Sequence, residues 1–181
     1  MKILIILVLA LVLVAMWRPT MTFRWQSPDD YLDTGPKFDV KKNLGGKMVS
    51  DGVVYGPTGR VVTRFVAEMV GEWDGNTGTL AEYFQYAGGG GIDRKWYLIV
   101  QDDENFTATA EDIVGVAVGR VSGSTVQLKY KLRLADDAGG HVLDVVDWLY
   151  LMENGTIVNR SQMRKFGVKV AELVASIRPA E

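Results

Sequence analysis

The chain has 181 residues with a formal net charge of −2 at pH 7, and 48% of them are hydrophobic and 23% charged. This is the composition of an ordinary globular domain, and it provides no basic field for binding nucleic acid. With no cysteine and one histidine, His141, the sequence excludes disulfides and thiol catalysis and gives little support to a zinc site or a Ser-His-Asp triad.

The chain begins with an unbroken apolar run over residues 3–17, preceded by Lys2. A helix rises about 1.5 Å per residue, so this run covers roughly 22 Å of a hydrocarbon core about 30 Å thick. No clear small-x-small cleavage site follows it. We therefore expect residues 1–18 to be an uncleaved signal anchor that holds an exported domain at the membrane through residues 3–17. A cleaved signal peptide is the first alternative, and a buried helix is the second.

Residues 19–38 are predicted to be a polar connector because prolines interrupt them at three positions, 19, 28 and 36. Residues 39–181 then form the domain, which starts with a short helical turn over residues 39–43. From residue 44 onward, segments with the two-residue alternation of strands are separated by glycine or Asx turns.

About nine or ten strands follow one another, each joined to the next by a short turn, and no helix-period segment of useful length lies between them. This order predicts an all-β protein, an antiparallel up-and-down meander closed into a lipocalin-like barrel, because closure removes the exposed sheet edges. A barrel of this size holds one small ligand. A two-sheet sandwich is the alternative.

Residues 79–100 predict a central hairpin that turns at four consecutive glycines. Its two strands each carry an apolar row interrupted by one ion, Glu82 in the first and Arg94 in the second. Because a charge on a buried face is costly unless it is paired, we expect these two to be partners across the hairpin.

Asp112 is a third ionisable group on an inward-type face, because it follows Phe106, Ala108 and Ala110 at two-residue spacing. With Glu82 and Arg94 it predicts a polar cluster on three strands inside the barrel. One interpretation is a structural ion network that maintains strand register, and another is the polar part of a ligand cavity. A third is an isomerase or hydrolase in which Glu82 or Asp112 acts as general base.

Aromatic side chains lie on the candidate inward faces. Packing of the core and the wall of an apolar ligand cavity use the same residue types, so both interpretations remain open. One of the five belongs to residues 141–152, a run too apolar to show by alternation which side faces inward. The five are Phe84, Tyr86, Trp96, Tyr130 and Trp148.

Four further polar residues are predicted to have structural roles. Asp147 is expected to pair across the last hairpin with Lys165 or Arg160, and Asn159 shares its strand parity with Lys165. No metal site is predicted, because the acidic stretches 102–104 and 136–137 lack EF-hand spacing. No cofactor is predicted either, and nothing in the sequence indicates a protein partner.

Several short motifs together resemble a bacterial family, the domain of unknown function numbered 3833, whose members include lipoproteins. The resemblance covers roughly residues 44–177 and implies a lipocalin-like barrel in the envelope of a Gram-negative bacterium, without an established activity. The chain lacks the lipobox cysteine of many members. The motifs are GRVVTRF from Gly59, LxExFxY from Leu80, RxWxL from Arg94, AxDIVGxAxG from Ala110, DWLYL from Asp147 and NRxxMxKFG from Asn159.

These patterns lead to one preferred hypothesis and one non-enzymatic alternative. The preferred hypothesis is an inner-membrane protein whose barrel faces the periplasm and binds a small amphipathic or lipid-like ligand, with Arg94 at its head group. Cleavage of the signal would leave the same barrel free in the periplasm. The alternative is a solidly packed scaffold that acts through its outer surface.

Overall fold

The computed structural model describes residues 2–17 and 23–180. Ten antiparallel strands form a closed barrel in which each strand pairs with its neighbours in sequence and the first pairs with the last. The up-and-down barrel is thereby confirmed, and the sandwich is excluded. The strands are β1 Gly46–Tyr55, β2 Val61–Asp74, β3 Thr77–Tyr86, β4 Gly91–Val100, β5 Asn105–Thr109, β6 Ala117–Ser122, β7 Thr125–Arg133, β8 Val142–Leu151, β9 Ile157–Lys165 and β10 Val168–Pro179.

Alternation along β2 shows why the barrel has a single apolar interior. Phe65, Ala67 and Met69 are buried, while Arg64 and Glu68 between them are exposed. Successive strand residues point to opposite faces, so the first set lies inside the barrel and the second outside. The same rule orients the central hairpin, in which Glu82 lies opposite Arg94 as predicted.

A short helix closes one end of the barrel. This helix, α2 (Val40–Asn43), begins at Asp39, whose carboxylate accepts hydrogen bonds from the Lys41 and Lys42 amides, and it confirms the predicted helical turn. Buried side chains before, within and after α2 join the core, and they are Phe38, Val40 and Leu44. We call this end of the barrel the closed end.

Gly71 on β2 allows the chain after α2 to pass this close to the sheet. A β-carbon at Gly71 would lie 1.8 Å from the backbone oxygen of Leu44, so one of the two segments would have to move.

Gly71→Ala is therefore expected to lower the free energy of unfolding by about 1–3 kcal/mol, the usual cost of overpacking. Chemical denaturation measures the change. Gly88→Ala is the control, because a β-carbon there meets no atom within 4 Å. Equal stability of the two variants would contradict this account of the closed end.

The opposite end is open, and we call it the mouth. Ile92 of β4 lies in register with Phe84, and Val61 of β2 shares the inward face of Phe65, yet the two are 54% and 51% exposed. Phe166, in the turn between β9 and β10 at the same end, is 93% exposed. The rim of the barrel therefore presents apolar side chains to solvent.

The N-terminal apolar run forms a helix, α1 (Lys2–Trp17), of 16 residues. Its side chains from residue 3 to residue 14 are exposed. Within residues 2–17 and 23–180, no helix has both the length and the apolar character that crossing a membrane requires. The predicted transmembrane anchor is therefore not supported.

Part of the stretch predicted as a connector packs on the outer face of the barrel. Phe23 and Pro28 are buried, and the side-chain oxygen of Gln26 accepts hydrogen bonds from the hydroxyls of Tyr31 and Tyr150, each 2.6 Å long. Tyr150 belongs to β8, so Gln26 links the N-terminal segment to the sheet.

Gln26→Ala is expected to destabilise the protein by about 1–2 kcal/mol, because two tyrosine hydroxyls lose their acceptor. Thermal and urea unfolding measure the loss. Gln85→Ala is the matched control, since Gln85 is exposed on β3. If Gln26→Ala were as stable as the control, the link between the segment and the sheet would have no energetic role.

Candidate functional site

The interior of the barrel contains a cavity of about 150 Å³. Apolar side chains supply most of its wall, among them Phe84 and Trp96 from the central hairpin and Tyr130 from β7. An engineered apolar cavity of about this size in another protein binds benzene. The polar side chains at the wall are Ser50, Glu82, Arg94, Asp147, Asn159 and Ser161.

Arg94 is the cation at the centre of the polar group. Its Nε lies 3.1 Å from Oδ2 of Asp112, and its guanidinium carbon lies 4.2 Å from the ring centroid of Trp96 and 5.8 Å from that of Tyr130. The guanidinium therefore combines an ion pair with cation–π contacts. Asp112 does not lie on a strand, contrary to the prediction, but in the loop between β5 and β6. Through its contact with Arg94, Asp112 nevertheless belongs to the predicted cluster.

Glu82 borders the cavity on β3, opposite Arg94. Burial raises the pKa of Glu82 to about 7, although the charge of Arg94 and a hydrogen bond from Trp96 oppose this shift. Asp147 and Asp112 raise it further by repulsion. Oε2 of Glu82 is buried and has no hydrogen-bond partner among the described residues.

Asp147 of β8 faces the same cavity. Its Oδ2 accepts a hydrogen bond from the hydroxyl of Tyr130 at 3.0 Å, whereas its buried Oδ1 has no partner in the described part of the chain. Burial raises the pKa of Asp147, and the hydrogen bond from Tyr130 and the charge of Arg94 oppose the rise. Burial and the carboxylate of Asp147 also raise the pKa of Tyr130 well above its ordinary value. The site therefore keeps protons more tightly than these groups do in water.

The predicted pairing of Asp147 with Lys165 or Arg160 is wrong. Arg160 points to the outside of the barrel, where its Nε lies 2.7 Å from Oε1 of Glu172. Lys165 lies near the mouth, with its Nζ 5.6 Å from the ring centroid of Phe166. Asp147 is directed into the cavity, so Arg160 lies on the other face of the sheet, and Lys165 lies four residues along β9 from Ser161, the register partner of Asp147.

The prediction that Trp148 faces the interior of the barrel is also wrong. It is fully buried on the outer side of β8, next to the rings of Tyr31 and Tyr150 at centroid distances of 5.3 and 6.1 Å. The N-terminal segment covers it there. The other four predicted aromatics lie inside, and Tyr86 stacks on Phe84 towards the mouth, with ring centroids 6.3 Å apart.

The family model described as protein of unknown function (DUF3833) matches residues 19–179. The chain belongs to this family. Two solved structures have similar folds. Rv2717c from M. tuberculosis is 18% identical with a TM-score of 0.56, and the match covers 82% of this chain and 100% of that one. The S-type phycobiliprotein lyase CPES from Guillardia theta is 6% identical with a TM-score of 0.56, covering 77% of this chain and 90% of that one. No curated protein matches the sequence significantly.

Both similar structures confirm the lipocalin-like class of this DUF3833 barrel. Two residues of its site have roles that sequence reasoning missed. Ser161 lies opposite Asp147 in the β8–β9 register and donates to Oδ1 of Asn159 at 3.3 Å. Asn159, predicted only as a structural residue, lines the cavity and donates through its amide to the Trp148 carbonyl at 3.2 Å. The orientation of β8 would have identified both residues, because its register with β9 determines which residues of β9 face inward.

Proposed function

We propose that the barrel binds one small, mostly apolar molecule whose polar end reaches Glu82, Arg94 and Asp147. Three buried atoms with no hydrogen-bond partner among the described residues support this proposal, and each belongs to a side chain at the cavity wall. They are Oε2 of Glu82, Nη2 of Arg94 and Oδ1 of Asp147. A buried polar atom left unpaired costs about 1–3 kcal/mol, and the large majority of buried side-chain polar atoms in folded proteins are paired.

The dimensions of the cavity limit the ligand. At about 150 Å³ it is smaller than the usual ligand pocket of about 300–1,000 Å³. A single ring or a short chain fits, whereas a long acyl chain would have to extend towards the mouth. Barrels of the lipocalin class hold one small ligand in this position, which supports binding over the scaffold alternative.

Native mass spectrometry of the full chain purified from its source cells tests the proposal, followed by extraction and analysis of the small molecules released. We expect one small molecule per chain. Ala108→Leu is expected to lose it, because Ala108 lines the cavity and the larger side chain fills the space. Ala81→Leu, on the partly exposed outer side of β3, is the matched control.

Thermal unfolding of both variants shows whether each is folded. A ligand-free mass for the wild type, together with no thermal shift on adding benzyl alcohol, would overturn the proposal in favour of the scaffold. Retention of the ligand by a folded Ala108→Leu variant would place binding outside the cavity.

One observation favours a second candidate function, an isomerase with Glu82 as general base. The pKa of Glu82, about 7, is the value at which a carboxylate takes and returns a proton most efficiently at neutral pH. Asp112 is less suited, because Arg94 holds it in an ion pair. Exchange of a carbon-bound hydrogen of the extracted ligand for deuterium, seen in D₂O with the wild type but not with Glu82→Gln, would establish this activity. A ligand that gains no deuterium with the wild type would argue against it.

A further inference from the structure

We propose that the cavity selects a ligand with a basic nitrogen rather than an acid group. This inference rests on the proposed ligand binding. Three carboxyl groups, Glu82, Asp112 and Asp147, surround one guanidinium, that of Arg94. Arg94 is the single cationic side chain among the described residues that line the cavity. The balance of charge around the site is therefore acidic.

Arg94 is engaged at its Nε and over the face of its guanidinium, although its Nη2 has no partner among the described residues, and this argues against its holding the head group of a fatty acid. Asp112 occupies its Nε, and the ring of Trp96 covers the guanidinium at 4.2 Å. A ligand carboxylate that approached Nη2 would also meet Glu82 and Asp147. Like charges in a weakly polar interior repel strongly, so an acid would bind only if further protons were taken up.

Charged side chains face Glu82 from three other parts of the barrel. Arg94 faces it from β4, Asp147 from β8 and Asp112 from the loop after β5, while Tyr86 lies on its own strand. Its partner on β2, Met69, is neutral. The other side chains at the cavity wall on β7, β9 and β10 are uncharged. Arg94 thus offsets the charge of one carboxylate, and a cationic ligand would offset the charge of the remaining acid groups.

A protonated amine matches these groups chemically. It brings up to three N–H donors, and the acceptors without a partner are Oε2 of Glu82 and Oδ1 of Asp147. Its positive charge also favours the ionised form of Glu82, whose pKa of about 7 means that the proton is easily displaced near neutral pH. Amine binding should therefore release a proton below pH 7 and none well above it.

Three probes of nearly equal size test the inference on the full chain freed of copurified small molecules: benzylamine, benzyl alcohol and benzoate. Isothermal titration at pH 6 and pH 8 measures their affinities. We expect benzylamine to bind at least tenfold more tightly than the alcohol at pH 8, and benzoate to be the weakest. Between pH 8 and pH 6 the preference for the amine over the alcohol should fall about tenfold.

Two variants assign the effect. Glu82→Gln is expected to remove the pH dependence of benzylamine binding, and Glu68→Gln, exposed on the outer side of β2, should behave as the wild type. If benzyl alcohol or benzoate binds as tightly as benzylamine at pH 8, the inference is overturned and the proposed function stands. If none of the three probes binds, the proposed function itself fails.

Discussion

The Glu82→Gln variant is expected to be more stable than the wild type at pH 8 by about 3 kcal/mol and equally stable near pH 4. The pKa of Glu82 rises from 4.5 to about 7 on folding, chiefly because the side chain is buried. Each unit of difference corresponds to about 1.4 kcal/mol between the two protonation states. A neutral glutamine reproduces the protonated carboxyl without its ionisation.

The direction of the pH dependence follows from the sign of this shift. Between about 4.5 and 7 the folded wild type holds a proton that the unfolded chain has released. Its stability is therefore fully present below pH 4.5 and falls as the pH rises through 7. The pKa of Asp147 is also raised, so a smaller decrease in the same direction should persist in the variant.

Urea unfolding from pH 4 to pH 8 measures both curves. Glu68→Gln is the control, because its carboxylate is exposed on the outer side of β2. Parallel curves for the wild type and Glu82→Gln would show that Glu82 ionises as freely in the folded protein as in the unfolded chain.

The second large effect is expected for Arg94→Met, which should lose about 3 kcal/mol of stability at pH 8 and less at pH 5. Removing one partner of a buried ion pair costs about 3–5 kcal/mol, and the partial exposure of Asp112, at 35%, places the value at the lower end. At lower pH the carboxyls left behind accept protons, which limits the cost. Methionine preserves much of the packing against Trp96.

Arg94→Met should also move the midpoint of the Glu82 titration above pH 7, because the charge of Arg94 is the largest influence that lowers the pKa of Glu82. NMR titration of the carboxyl measures the midpoint, and denaturation measures the stability. Arg64→Met, exposed on β2, is the control. A Glu82 midpoint unchanged by the loss of Arg94 would mean that the two groups are not electrostatically coupled.

In the double variant with Glu82→Gln, the loss at pH 8 should be smaller than in Arg94→Met alone. The glutamine removes one of the carboxylates that Arg94 offsets, so the two effects are coupled rather than additive. Additive effects would contradict the arrangement of the cluster.

The sequence was sufficient to predict the barrel and the register that sets Glu82 opposite Arg94, but not that Arg94 forms its ion pair with Asp112. The two-residue alternation along β3 and β4 placed Glu82 and Arg94 on one face, and a short tight turn allowed them one register. Asp112 was predicted as a member of the cluster but on a strand, because its spacing from Phe106 continued the alternation. The chain leaves the sheet after Thr109, and the loop still directs Asp112 to Arg94.

The orientation of β8 could not be predicted, because its outer face is also buried. The N-terminal segment covers Trp148 from outside, and side chains of both faces are therefore apolar, which removes the alternation. The neighbours of Asp147 were predicted wrongly for the same reason. Tyr130 and Ser161, which lie beside it, are inside the barrel, whereas Arg160 is outside.

The sequence by itself determined the strand order, the closed barrel and the inward positions of Glu82 and Arg94, since these depend on local periodicity and short turns. The tertiary structure alone decided that Asp147 and Tyr130 complete the cluster, that Trp148 lies outside, and that the cavity measures about 150 Å³. Those features depend on which side chains meet across strands far apart in the chain and on the volume that these side chains leave unfilled. The pattern of a single segment determines neither the contacts nor the volume.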